Sequence, residues 1–340
     1  MSIAERIKSA RISAGLSQQK LGEAIGVSKM AISKYEQGKT IPNSGMLLRI
    51  AEALDVRVDY FFRTPAVTLS EPQYRCHKKL LKKDENAIHG KILDWLERYL
   101  EIEMITDVQT TLDLPKEEIC HAVTMEDVEK VAQMLRDEWA LGLDPIENVM
   151  DVLEQHGIKV GIVDAPDTFD ALTFTYDGKI PVIAVNKNTT GDRQRFNLAH
   201  ELGHLILQVS GDLDEEKAAN RFAGAFLVPR EMGINELGEH RNRLFLRELY
   251  VLKHKYGLSM KAWIHRAHDL GIISKNQETG LYIELNTYTK NKQEPGKQIR
   301  PQLPTHMHQL IFRALGDKKI TQSRARELFG GPIPVVGVEE

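Results

Sequence analysis

The chain has 340 residues, 42% of them hydrophobic and 27% charged, which is long enough for two or three ordinary globular domains. Its net charge of −3 hides a division, because residues 1–63 hold ten Lys/Arg against six Asp/Glu, residues 64–240 hold 18 against 33, and residues 241–340 hold 17 against nine. Cys76 and Cys120, with no metal spacing between them, exclude a disulfide framework; with no cleavable signal peptide and no long apolar span, the chain is expected in the cytoplasm, both thiols reduced and no membrane bound.

Leu16 to Ser28 reads as helix, tight turn, helix. Ser17 caps the first helix, Gly26 ends it with a backbone able to take positive φ, and Ser28 caps the next, which runs to about Gln37 and stops at Gly38. Leu21, Ala24, Ile25, Val27 and Ile32 are expected to pack with Leu47, Ile50, Ala51 and Leu54, leaving Lys29, Met30, Ser33 and Lys34 facing outward. Residues 3–62, including Ser33 to Gly38 and the following Pro42, resemble the Cro/C1-type (XRE) helix-turn-helix family. The resemblance implies a double-stranded DNA operator as partner. Lys29, Met30, Ser33 and Lys34 would then look into the major groove, and Gln18 and Asn43 would hold phosphates. The bland alternative is a small helical bundle, or a module that docks proteins.

Residues 64–130 are expected to form a helical connector. It holds a hinge at Thr64-Pro65, a polar segment from Glu71 to Lys83 that a protease could reach, and an amphipathic helix through Leu93, Trp95, Leu96, Tyr99, Leu100 and Ile102. That helix either packs on the domain that follows or pairs two chains into a homodimer, which a pseudo-palindromic operator would need.

His200-Glu201-Leu202-Gly203-His204 joins metal-ligand spacing to an amphipathic helix. Residues four apart lie one turn above each other, so both imidazoles can reach one ion while Glu201 sits beside it. Glu216, on a second helical pattern, would complete three protein ligands for zinc, and Asn220 one turn later could hold the far nitrogen of a ligating histidine. Such an ion activates water toward a carbonyl, with Glu201 as the base. His156, just before a strand, reads as a helix-end residue.

Residues from about 130 to 275 resemble the ImmA/IrrE family of zinc metallopeptidases. The likeness rests on Arg195-Phe196-Asn197-Leu198-Ala199 leading into the histidine pair, on Glu216 to Ala223 followed by Pro229, and on Trp139 to Gly142 with Pro145-Ile146. Gly157 to Val160, Val182 to Asn186, Leu252 to Met260 and Asp269 to Ile273 also match. Asn197 and Ala218 depart from the common residues at their positions, neither of them a ligand.

The expected architecture is therefore multidomain. An all-α helix-turn-helix bundle (1–63) and the helical connector (64–130) precede a mainly helical α+β zincin-like metallopeptidase domain (131–275) and a basic helical tail (276–340). In the tail, Glu294-Pro295-Gly296, Pro301 and Pro304 precede helices near His308 to Leu315 and Gln322 to Leu328, and His306 and His308 lack partners for a metal. The two resemblances together imply a DNA-binding regulator whose zinc endopeptidase domain cleaves a repressor or other regulatory protein, a separate one in preference to itself, in stress response or mobile-element control. The rival is an antitoxin or repressor whose peptidase-like domain recognises a partner. Single-stranded DNA as an activating signal is a further reading, hinted at by the basic tail alone.

Overall fold

The structure, a computed structural model, describes residues 2–62, 73–75, 82–108, 110–176, 178–289 and 293–333. The hinge at Thr64-Pro65, Cys76 and most of the segment from Glu71 to Lys83 lie outside the described residues.

Four short helices open the chain: α1 (Ile3–Ser13), α2 (Gln18–Ile25), α3 (Lys29–Glu36) and α4 (Ser44–Ala53). Each starts where a small polar side chain can take the place of the missing turn. Ser2, Ser17, Ser28 and Asn43 accept hydrogen bonds from Glu5, Lys20, Ala31 and Met46 N–H groups. The reversal between α2 and α3 needs glycine twice. Gly26 has φ +69°, and a Cβ on Gly22 would stand 2.6 Å from the Val27 carbonyl oxygen. Ile7, Leu21, Ile25, Ile32, Leu47, Ile50 and Phe61 fill the centre. Ala24, expected inside, is exposed, because Leu21, Gly22 and Ile25 already cover the narrow buried arc of this two-turn helix.

The 25-residue helix α5 (Lys82–Thr106) has two partners along its length. Ile88, Ile92 and Leu96 pack on a four-stranded sheet, whereas Tyr99 and Ile102 meet Leu310, Ile311 and Leu328 from α14 (His306–Gly316) and α15 (Gln322–Phe329). Its amphipathic pattern is therefore covered within the chain. It also crosses α1 closely, since a Cβ on Gly90 would collide with Ser13 Oγ, and buried Arg6 pairs with Glu97 at 2.5 Å.

The sheet has the order β1 (Gln73–Arg75), β4 (Ala171–Tyr176), β5 (Ile180–Asn186), β3 (Lys159–Val163), with β3 parallel to β5 and the other pairs antiparallel. A strand turns alternate side chains to opposite faces. Leu172, Phe174 and Tyr176 accordingly join Ile88 and Ile92 under α5, while Thr173 faces the other layer. That layer is helical: α6 (Met125–Glu138), α7 (Val149–Gln155), α8 (Gly191–Ile206), α9 (Glu215–Leu227), α10 (Arg230–Leu237), α11 (Leu246–Tyr256), α12 (Met260–Asp269) and α13 (Lys275–Tyr288). A parallel pair, β2 (His121–Ala122) with β6 (Gln208–Val209), closes its edge. Val160, Ile183, Leu198, Leu202, Phe222, Phe226, Trp263, Leu281 and Leu285 belong to one core, which thus continues past residue 275 into α13.

Buried guanidinium groups tie this layer together. Arg195 donates to the Ile146, Glu147 and Tyr256 carbonyls, and Arg266 pairs with Glu129. Cys120 is buried, and burial pushes its thiol up to about 11. His156 ends α7 with its ring stacked on Trp139 and Nδ1 2.9 Å from Asp113. In the tail, His306 meets Tyr99 edge-on and His308 stacks on Phe329. Among the described residues no helix is long and apolar enough to cross a membrane.

Candidate metal centre and nucleic-acid face

α8 carries His200 and His204 one turn apart, both within reach of α9, while Glu201 is hydrogen-bonded to Thr173 of the sheet. The two Nε2 atoms stand 3.1 Å apart, their rings nearly perpendicular. α9 packs tightly against α8 where Gly203 lies close to Ala219 and Phe222; a Cβ there would be 3.1 Å from Phe222 Cδ1. This approach brings Glu216, in the first turn of α9, to 3.6 Å from His200 Nε2 and 3.4 Å from His204 Nε2. The histidine side chains are largely buried and that of Glu216 is 49% exposed, so the group opens to solvent on the carboxylate side.

One turn beyond Glu216, Asn220 Oδ1 lies 3.1 Å from His200 Nδ1. The amide oxygen is an acceptor, so Nδ1 carries the proton and Nε2 presents its lone pair to the centre. Two imidazole nitrogens and a carboxylate, mutually within 4.8 Å, are the donor set that suits zinc and neighbouring divalent ions. The residues fit such an ion.

Glu201 is buried, and Thr173 Oγ1 donates to its Oε2 at 2.6 Å. Thr173 was not singled out by sequence reasoning. The signal available was the alternation of Leu172, Phe174 and Tyr176, which puts Thr173 on the other face without naming what it meets.

On the first four helices, Lys29, Met30 and Lys34 are exposed along α3, Met30 at 68%. Ser33 is half-buried and its Oγ accepts from Gln37 Nε2. Gln18 Nε2 donates to Glu36 Oε2 at 2.8 Å, and Asn43 Oδ1 caps α4 at 2.9 Å from Met46 N. Each of these two side chains therefore has one polar group engaged within the protein. Glu36 is buried against Arg11, whose Nε lies 2.5 Å from Oε1, a pair that locks α1 to α3.

Residues 7–61 match the family described as helix-turn-helix, and residues 153–268 match the IrrE N-terminal-like domain, a peptidase family. The chain joins a helix-turn-helix domain to an IrrE N-terminal-like domain. The IrrE N-terminal-like domain contains β3 to β5 and His200, Glu201, His204 and Glu216; its family is typically metal-dependent. The helix-turn-helix domain is similar to an HTH-type transcriptional regulator of Rickettsia prowazekii, 45% identical over 60 residues, or 18% of this chain and 46% of that protein. The chain is also similar, over a longer stretch, to the HTH-type transcriptional activator BcrR of Enterococcus faecalis, 36% identical over 97 residues, or 28% of this chain and 46% of that one. Among solved structures, the P22 c2 repressor in complex with synthetic operator 9T is 38% identical, with 18% of this chain and 92% of that chain covered and a TM-score of 0.18. The chain spans about half the length of the curated relatives it matches.

Proposed function

We propose that this protein is a cytoplasmic transcriptional regulator that binds a double-stranded operator as a homodimer, and that its IrrE N-terminal-like domain is a zinc-dependent endopeptidase cleaving a repressor or another regulatory protein. The observation that carries the reading is the convergence of His200 Nε2, His204 Nε2 and the Glu216 carboxylate beside the sheet-held Glu201. Zinc bound by this set supplies Lewis acidity toward water and the scissile carbonyl. Glu201 takes the proton of the attacking water on its carboxylate and returns it to the leaving amine. Thr173 keeps that carboxylate from rotating, and Asn220 keeps the His200 ring in the tautomer a ligand requires. On the DNA side, the exposed Lys29, Met30 and Lys34 give α3 the face for the major groove.

The test is to incubate zinc-loaded full-length protein, and its Glu201→Gln variant, with the regulator encoded beside it, with and without single-stranded DNA, and to map fragments by mass. As purified, the protein should carry about one zinc per chain, which His204→Ala should remove. Glu201→Gln should keep the zinc and lose cleavage, since it removes a base and leaves the ligands. Identical fragments from both proteins, or none under any condition, would favour an antitoxin or repressor whose second domain recognises a partner.

A further inference from the structure

We infer that His265, His268 and Glu278 form a second divalent-cation site, built between α12 and α13 and separate from the centre at His200. Their ligand atoms lie within 4.8 Å of one another. His265 and His268 sit three apart in the last turns of α12, on neighbouring positions of one face. Glu278 reaches them from the first turn of α13, its side chain 1% exposed. His265 Nδ1 is 2.8 Å from Oε1 of Glu278 and His268 Nδ1 is 3.9 Å from Oε2.

Three observations point to a ligand rather than to a simple ion pair. First, His268 Nδ1 is buried and has no hydrogen-bond partner among the described residues, a condition that buried polar atoms rarely keep without an ion or a water. Second, Asp269 Oδ1 stands 3.8 Å from His265 Nε2 while Arg221 holds the same carboxylate at 2.6 Å. In the metal-free chain His265 Nδ1 shares its proton with Glu278 Oε1; a cation at Nδ1 displaces that proton, and Asp269 is placed to accept from the Nε2–H tautomer that remains. Third, the ammonium of Lys275 occupies Glu278 Oε2 at 2.5 Å, although its own side chain is 69% exposed. A surface cation thus stands where a bound ion would go, and an ion that replaces it keeps the buried carboxylate neutralised.

Two imidazoles and one carboxylate select zinc and the late first-row divalent ions over magnesium or calcium, which prefer oxygen. Because Lys275 must be displaced, this site fills after the one at His200. His265, His268 and Asp269 also line a cavity of about 910 Å³ whose lining includes Phe196 and Asn220, the partner of His200.

The experiment is a titration of metal-stripped full-length protein with Zn²⁺ by calorimetry, repeated with Co²⁺ by visible absorption. Two ions per chain are expected. His265→Gln/His268→Gln should bind one, His200→Ala/His204→Ala should bind one, and the fourfold variant none. Lys275→Met should tighten the weaker step by at least about twofold, because no ammonium then has to be displaced from Glu278, and leave the stronger step alone. A native chain binding a single ion that His200→Ala/His204→Ala abolishes overturns the second site, as does a second ion indifferent to His265→Gln/His268→Gln or a weaker step that Lys275→Met does not tighten. A single ion lost only with His265 and His268 would keep this site and remove the zinc peptidase reading instead.

Discussion

Thr173 Oγ1 donates to Glu201 Oε2 at 2.6 Å, and this one hydrogen bond ties the sheet to the helix that carries both histidines. The strand is interior to the sheet, paired on both edges, so the hydroxyl stands on a rigid support. A general base profits from such support because its proton transfer depends on a fixed geometry.

Thr173→Val keeps the shape and removes the donor. Hydrogen bonds to charged acceptors contribute about 1.5–3 kcal/mol, so the variant should cleave roughly tenfold to a hundredfold more slowly. Its zinc content should equal that of the native chain. The two readouts are fragment formation and metal analysis; loss of zinc together with activity would assign Thr173 to the folding of the centre rather than to holding the base.

The ion pair of Arg6 with Glu97 joins the helix-turn-helix domain to α5. Burial works against the Arg6 charge, but the carboxylate of Glu97 more than offsets it and holds the guanidinium pKa up. Glu97→Ala would strand that charge and should destabilise the packing of α1 on α5 by about 3 kcal/mol or more. Urea unfolding followed through the first domain measures it. Arg6→Met/Glu97→Leu should recover most of the loss, and failure to do so would show that the pair contributes beyond mutual neutralisation.

Glu154 predicts a pH dependence. Burial pushes its carboxyl up to about 7, against hydrogen bonds from His306 N and Tyr99 Oη that favour the charged form. Since the folded value exceeds the unfolded 4.5, the folded chain holds the proton more tightly. The resulting stabilisation is complete below about pH 4.5 and is lost as pH rises through about 7. Its size is on the order of 3 kcal/mol. Glu154→Gln cannot ionise, so its stability relative to the native chain should rise by that order between pH 4.5 and 8. Urea midpoints that run parallel for the two proteins across this interval would refute the assignment.

Lys29→Ala and Lys34→Ala should each weaken operator binding and reduce the slope of log K against log salt by about 0.9 if each contacts one phosphate. An unchanged slope with altered sequence preference would move the residue from backbone to base contact. Met30→Ala should leave the slope alone. Gel-shift titrations at several salt concentrations read all three.

Legibility in the sequence follows the range of the forces involved. The capping of α2 and α3 by Ser17 and Ser28, and the positive φ of Gly26, are decided within three or four residues, and so is the placement of His200 and His204 one turn apart on one face. Asn220 could be named beside Glu216 for the same reason, because one helical turn separates them. Ala24 escaped this logic, since a narrow buried arc depends on which neighbours arrive.

By itself, then, the sequence determined what helical and strand periodicity dictate: where helices start and stop, which residues share a face, and that two histidines can meet one ion. Only the tertiary structure decided who faces whom across long separations. Thr173 lies 28 residues from Glu201, Arg6 lies 91 from Glu97, and the choice of α5 to cover its own chain rather than a second copy is invisible in its pattern. Hydrophobic burial rewards any complementary surface and is non-directional, so an amphipathic stripe says that a helix will be covered and leaves its partner open.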